Sequence, residues 1–151
     1  MKVRIEQSPE LHVLGFRHIG PYPTIGQTFG KLHQWQGSHP LAVEGLIAAY
    51  HDDPEQVAPA DLRSDALLVV PEPIEAPEGM LTYTLPAQKY LIAEYIGDYS
   101  GLGNAWGKVI AEEIPNRNLV ITQGLCFERY VSDMATTPPE ELRTDIYVPI
   151  E

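Results

Sequence analysis

Apolar and polar residues alternate in VRIEQ (3–7) and HVLGFRHI (12–19), and the alternation returns in MLTYTL (80–85) and KYLIAEYI (89–96). A period of two predicts strands. Pro9 and Pro86 interrupt each pair, at positions where a central strand would not accept them. The period then changes. Ile25, Phe29 and Leu32 recur at helical spacing, as do Leu102, Trp106, Val109 and Ile110. A helix of about three to four turns is therefore predicted after each strand pair, with Thr24 or Ser100 as its N-cap. Two more strands follow in each half, LIAAYH with ALLVV and LCFERYV with DIYVPI. Each half reads β-β-α-β-β, an α+β unit whose short connections suit antiparallel pairing.

The halves are copies of one another. Leu14 matches Leu91, Ile19-Gly20 matches Ile96-Gly97, Tyr22 matches Tyr99, Gly26 matches Gly103 and Gly30-Lys31 matches Gly107-Lys108, with Phe29 opposite Trp106. The offset is 77 residues (97 − 20) and becomes 80 further on (145 − 65), where Leu62-Arg63 matches Leu142-Arg143 and Asp65 matches Asp145. A repeat in this order predicts two copies of one supersecondary unit, about 1–75 and 78–151, joined by the proline-rich PEPIEAPEG (71–79). Gly26, Gly30, Gly103 and Gly107 fall inside the predicted helices, where each costs roughly 1 kcal/mol against alanine. Close approach of the helix backbone to a sheet or a ligand is the expected compensation.

At 151 residues, 44% hydrophobic and 21% charged, the chain has the balance of one soluble globular domain. Its formal charge of -11 repels a phosphate backbone, so a direct nucleic-acid partner is not expected. No apolar run follows MKVRIEQSPE and none elsewhere approaches a membrane span. Cys126 is the single cysteine, which excludes an internal disulfide, and a reducing cytoplasm is the expected location. SGLGNAWG departs from the dinucleotide fingerprint. YHDDPE groups His51, Asp52 and Asp53 as a turn would, and no GxSxG elbow occurs. Neither a cofactor nor a metal is expected. PPEELRTD and APADLRSD read as turn chemistry, with Arg63 and Arg143 pairing locally with Asp65 and Asp145 or with the sheet.

One residue stands apart. In an extended GLCFERY, Cys126, Glu128 and Tyr130 share a face, and the matching strand of the first copy has Ala48 or Ala49 where the second has Glu128. A duplicated scaffold needs no carboxylate there. Two outcomes are open: an exposed edge-strand glutamate beside Arg129, or a carboxylate turned toward an apolar face, which must find a cation, hydrogen bonds or a proton. Tyr95, Tyr99, Trp106 and Tyr130, with Phe16 and Trp35 from the first copy, would suit a flat lipophilic cation around such an acid, and would equally suit a core.

The duplicated pattern, the IGPY and IGDY turns before glycine-bearing helices, and the closing FERYVSD...TPPEELRTDIYVPI resemble the GyrI-like small-molecule-binding family, which is related to the effector-binding domains of AraC-type and MerR-type activators. The resemblance covers nearly the whole chain. It implies a pseudo-twofold α+β fold, a curved antiparallel sheet of about eight strands with two helices, and a ligand cleft between the copies. It also implies that Glu128 and Tyr130 match a glutamate and tyrosine that attract cationic lipophilic compounds there. Other family activities are inhibition of DNA gyrase and hydrolysis of cyclopropane-bearing alkylating compounds, in which Glu128 and Tyr130 would be catalytic. Both copies together use up residues 1–151, so a stand-alone binding module is the expectation.

Overall fold

The computed structural model describes residues 1–151. Its strands are β1 (Lys2–Ser8), β2 (Leu11–Ile19), β3 (Gly45–Tyr50), β4 (Arg63–Val70), β5 (Leu81–Leu85), β6 (Gln88–Ile96), β7 (Cys126–Tyr130) and β8 (Arg143–Pro149). The two main helices are α1 (Gly26–Ser38) and α2 (Leu102–Lys108). The fold is α+β, with antiparallel pairing throughout. No helix is long and apolar enough to cross a membrane.

The chain forms two compact units, Glu10–Pro86 and the pair Met1–Pro9 with Ala87–Glu151. Within the first the strand order is β5-β2-β4-β3, and within the second β1-β6-β8-β7. These are one arrangement used twice: the strand before the helix pairs with the last strand, and the last strand pairs with the strand after the helix. The outermost position is filled by exchange, since β1 lies on β6 and β5 lies on β2. Equivalent backbone bonds confirm the repeat. Gly20 N–H donates to the Leu62 carbonyl and Gly97 N–H to the Leu142 carbonyl, at 2.8 and 2.9 Å. Both glycines have positive φ, +137° and +152°, and a Cβ on Gly97 would lie 2.7 Å from the Tyr95 hydroxyl, so the sharp turn into each helix requires glycine.

In the second unit the helix packs on one face of its four strands, Leu102 and Val109 against Leu91, Ala93, Ile146 and Val148. The buried helical positions Leu102, Ala105, Val109 and Ile114 are spaced three, four and five residues apart. A step of five is too wide for an α turn, and the helix meets it with a π turn over Val109–Glu113 before a last turn at Ile114–Asn116. Pro115 carries no N–H to donate in that last turn. The widened turn leaves Ile110 exposed, against the helical-face expectation.

Two local expectations are corrected. Gly26, Gly30, Gly103 and Gly107 have nothing within 4 Å of where a Cβ would stand, so no packed sheet compensates for them. Their cost is uncompensated helix propensity on open surface. Gly30→Ala and Gly107→Ala are each expected to stabilise the protein by about 0.8–1 kcal/mol, raising the melting temperature by about 2–4 °C, measurable by circular dichroism. Neither Thr24 nor Ser100 caps a helix. Thr24 donates to the Pro21 carbonyl, while the side chain of Asp98 accepts from the Ser100 N–H, because Asp98 is the last extended residue before the turn at Tyr99–Gly101.

Candidate ligand-binding site

Glu128 is buried, 4% exposed, in β7 opposite Ile146 of β8. That removes the exposed edge-strand outcome. The indole N–H of Trp106 donates to Glu128 Oε1 at 2.6 Å, and the Tyr130 hydroxyl donates to Oε2 at 2.7 Å. The alternation of the strand puts Tyr130 on the face of Glu128, and the register of α2 brings Trp106 over it. Tyr99, in the turn entering α2, meets Tyr130 edge to face at 5.6 Å. Its phenol pKa is pushed up by burial and by the negative charge of Glu128. One carboxylate is thus framed by three aromatic side chains of a single unit, two of them bonded to it.

The other predicted residues divide. Cys126 packs against the helix face, and burial pushes its thiol up to about 11, so it is neutral near pH 7 and unsuited to nucleophilic work. Tyr95 gives its hydroxyl to the Asp98 carbonyl at 2.7 Å and fills the space over Gly101, where a Cβ would lie 2.0 Å from that hydroxyl. It holds the turn into α2 and bonds to Asp98, not to Glu128. Phe16 and Trp35 belong to the other unit. Phe16 is buried, with the Lys31 ammonium 4.4 Å above its ring, and Trp35 stacks on His39 at 4.6 Å. The repeat register also resolves which alanine replaces Glu128: Ala48 faces Ala66 as Glu128 faces Ile146, 80 residues on in both strands (128 − 48 and 146 − 66).

A second buried carboxylate was read only as turn chemistry. Asp65 is fully buried and accepts from Arg17 Nε at 2.6 Å, His51 Nε2 at 2.6 Å and the Tyr83 hydroxyl at 2.8 Å. Arg63 does not pair with it. That guanidinium, exposed at the start of β4, bonds to Asp52, whose pKa falls to about 2 because of it, while Asp65, two residues on, is taken by Arg17, His51 and Tyr83. Arg143 does pair with Asp145, at 3.0 Å. An acid at a buried strand position, Asp65 in RSDALLVV, was the available signal.

The sequence model of the GyrI-like small molecule binding domain matches residues 1–151. The chain belongs to the GyrI-like family. A DNA gyrase inhibitor of Serratia proteamaculans is 34% identical to this GyrI-like chain over 138 residues, covering 88% of each. One of Cronobacter sakazakii is 27% identical over 155 residues, covering 100% of this chain and 98% of the relative. Among solved structures, the C-terminal domain of EcmrR superposes with a TM-score of 0.84 at 18% identity, over 99% of this chain and 97% of that one. A protein bound to tetraphenylphosphonium superposes with a TM-score of 0.70 at 14% identity, over 100% and 94%. At such identities the superpositions speak for the GyrI-like fold alone. The family description makes the chain a small-molecule-binding domain.

Proposed function

We propose that this GyrI-like protein captures lipophilic cations of several rings, with Glu128 as counter-charge and Trp106, Tyr99 and Tyr130 as aromatic surface. The observation that carries this is a buried carboxylate held at both oxygens by neutral donors on aromatic rings. An indole or phenol supplies a hydrogen bond without itself carrying a charge that cancels that of the carboxylate. The ring faces add attraction of about 0.5–2 kcal/mol each to a cation brought over them. A soft, poorly hydrated cation loses little on leaving water, which favours phosphonium or quaternary ammonium dyes over metal ions. The tetraphenylphosphonium complex of a protein of the same fold supports the ligand class.

Titration of a Trp35→Phe protein with tetraphenylphosphonium tests it. Trp106 is then the sole tryptophan, and saturable quenching of its fluorescence in the micromolar range is expected. An unchanged signal, together with no heat of binding, removes the proposal. Turnover of a cyclopropane-bearing alkylator beyond one equivalent would move the assignment to hydrolysis. A second reading, action on DNA gyrase, is favoured by the names of the curated relatives, and a supercoiling assay with purified gyrase separates it from ligand capture.

A further inference from the structure

The sequence puts His51 beside Asp52 and Asp53, and the fold parts them. The Asp52 carboxylate goes to Arg63, and Asp53 Oδ1 accepts the Glu55 N–H. His51 turns to Asp65 instead. Ala49 and Asp65 are partners across β3 and β4, and His51, two residues on, continues that pairing with its N–H on the Arg63 carbonyl at 3.1 Å. It therefore lies on the face of Asp65, as Arg17 does across β2 and β4. The unit formed by Met1–Pro9 and Ala87–Glu151 supplies a control. There Val131 N–H bonds to the Arg143 carbonyl, 80 residues on in both strands (131 − 51 and 143 − 63). The acid recurs as Asp145 and the imidazole does not, so the scaffold does not need a histidine at this place.

The bonds at Asp65 fix which ring nitrogen is protonated. Burial works against the Asp65 charge, and bonds from His51, Arg17 and Tyr83 outweigh it, which keeps the carboxylate ionised. An ionised carboxylate only accepts, so Nε2 of His51, 2.6 Å from Oδ2, carries the hydrogen. Arg17 Nη2 stands 3.4 Å from the same nitrogen, but a guanidinium is also a donor and its hydrogens go to Asp65. In the neutral ring Nδ1 therefore keeps its lone pair. No protein group bonds to Nδ1, and the only side-chain polar atoms that are both buried and without a partner are Ser64 Oγ and Thr144 Oγ1. Nδ1 is thus open to solvent, although the His51 side chain is only 17% exposed. Tyr83 meets the ring edge to face at 6.5 Å and gives its hydroxyl to Asp65, so one residue steadies both members of the pair.

We infer that His51 is a nucleophilic centre, its Nδ1 taking an acyl group from small, uncharged, activated esters and passing it to water, with Asp65 as its positioning residue. Nδ1 attacks the ester carbonyl carbon, the bond to the aryl oxygen breaks and the aryloxide leaves with the electron pair. The ring is then an acylimidazolium whose Nε2–H stays on Asp65, so its positive charge faces a carboxylate. Water adds to the acyl carbon, and the C–N bond breaks with its electron pair returning to Nδ1. The two hydrogens of the water are accounted for by the carboxylic acid and the phenol. Only esters with a weakly basic leaving group qualify, because an imidazole does not expel a strongly basic one. The formal charge of -11, with Asp52 and Asp53 next in sequence, disfavours anionic esters. The inference stands whether or not Glu128 binds cations.

Turnover of p-nitrophenyl acetate tests it. His51→Gln keeps an N–H for Asp65 and is expected to lower turnover by about tenfold, whereas His33→Gln, at an exposed position of α1, changes it less than about twofold. Asp65→Asn presents an amide hydrogen to Nε2 and so moves the ring hydrogen to Nδ1. Turnover is expected to fall as far, with Nδ1 protonated in nitrogen NMR spectra. Two measurements need no variant. The neutral His51 ring of the parent is expected to show an unprotonated Nδ1 in the same spectra. Diethyl pyrocarbonate, mapped by mass spectrometry, is expected to modify His51 at least as fast as the exposed His33, and last of all His18, whose ring nitrogens are taken by Thr28 and Thr24. Turnover unchanged in His51→Gln or in Asp65→Asn overturns the inference. So does an equal loss in His33→Gln, a hydrogen on Nδ1 of the neutral parent ring, or slower modification of His51 than of His33.

Discussion

Glu128→Gln is expected to weaken tetraphenylphosphonium binding by about 10- to 100-fold, the range for losing one charge contact in a partly desolvated site. The substitution isolates charge from shape. A glutamine amide fits the same space, its oxygen accepting from the Trp106 N–H and its nitrogen donating to the Tyr130 hydroxyl, which can accept as well as donate. The Trp106 N–H and the Tyr130 hydroxyl both keep a partner, so the rings are expected to stay in place. Triphenylphosphine oxide, a neutral triaryl compound, serves as the control, because ring contacts act on it and a carboxylate charge does not. Its affinity is expected to change less than about twofold. If calorimetry shows both compounds falling together, the rings rather than the acid govern binding. If neither falls, Glu128 is structural.

Asp65→Ala is expected to lower stability by about 3–5 kcal/mol, the cost of removing one member of a buried, hydrogen-bonded charge cluster, read by urea denaturation at pH 7. The loss comes from the groups left behind. The Tyr83 hydroxyl and His51 imidazole are largely buried and have arranged themselves on that carboxylate, along with Arg17. Acid should narrow the difference between variant and parent. Burial would raise the Asp65 pKa, yet bonds from His51, Arg17 and Tyr83 outweigh it and hold it below the ordinary carboxylate value. A depressed folded pKa gives stability that is complete above the unfolded value, about 3.9. It drains away as pH falls below that value and through the folded one. The parent should therefore approach the variant below about pH 4. A constant gap between pH 7 and pH 3 would show that Asp65 acts through packing alone.

Much of this was legible beforehand, for physical reasons that differ from residue to residue. Runs of apolar residues mark what is buried, so β2, β6 and α1 could be located from Val13, Leu14, Leu91 and Leu32 without coordinates, although β2 and β6 prove to be buried on both faces. Glu128 stood out because duplication supplied its own control at Ala48. The roles of Tyr95 and Trp106 were not legible, since spacing shows which face an aromatic occupies and not what its polar atom reaches. Tyr95 was expected beside Glu128 and bonds to the Asp98 carbonyl. Trp106 was expected as a wall and proves to be a donor. The helical glycines suggested tight packing by their cost, but cost alone does not reveal whether anything offsets it, and at these four positions nothing lies close. The joining of β1 to β6 is a contact between chain segments some eighty to ninety residues apart that no local pattern encodes.

That exchange of outer strands has a consequence for how the polypeptide matures. The unit Glu10–Pro86 is contiguous, so all four of its strands are available once Pro86 has been synthesised. Its counterpart must hold β1 in waiting until β6 emerges, and cannot close until β8, at Arg143–Pro149, has been made. Long-range pairing of this kind is slow because loop closure precedes its reward. Assembly is therefore vectorial, with the half that carries Ala48 complete first and the half bearing Glu128 sealed only after β8 has been made. Neither sequence repeat, cut out alone, contains the strands that complete its own sheet.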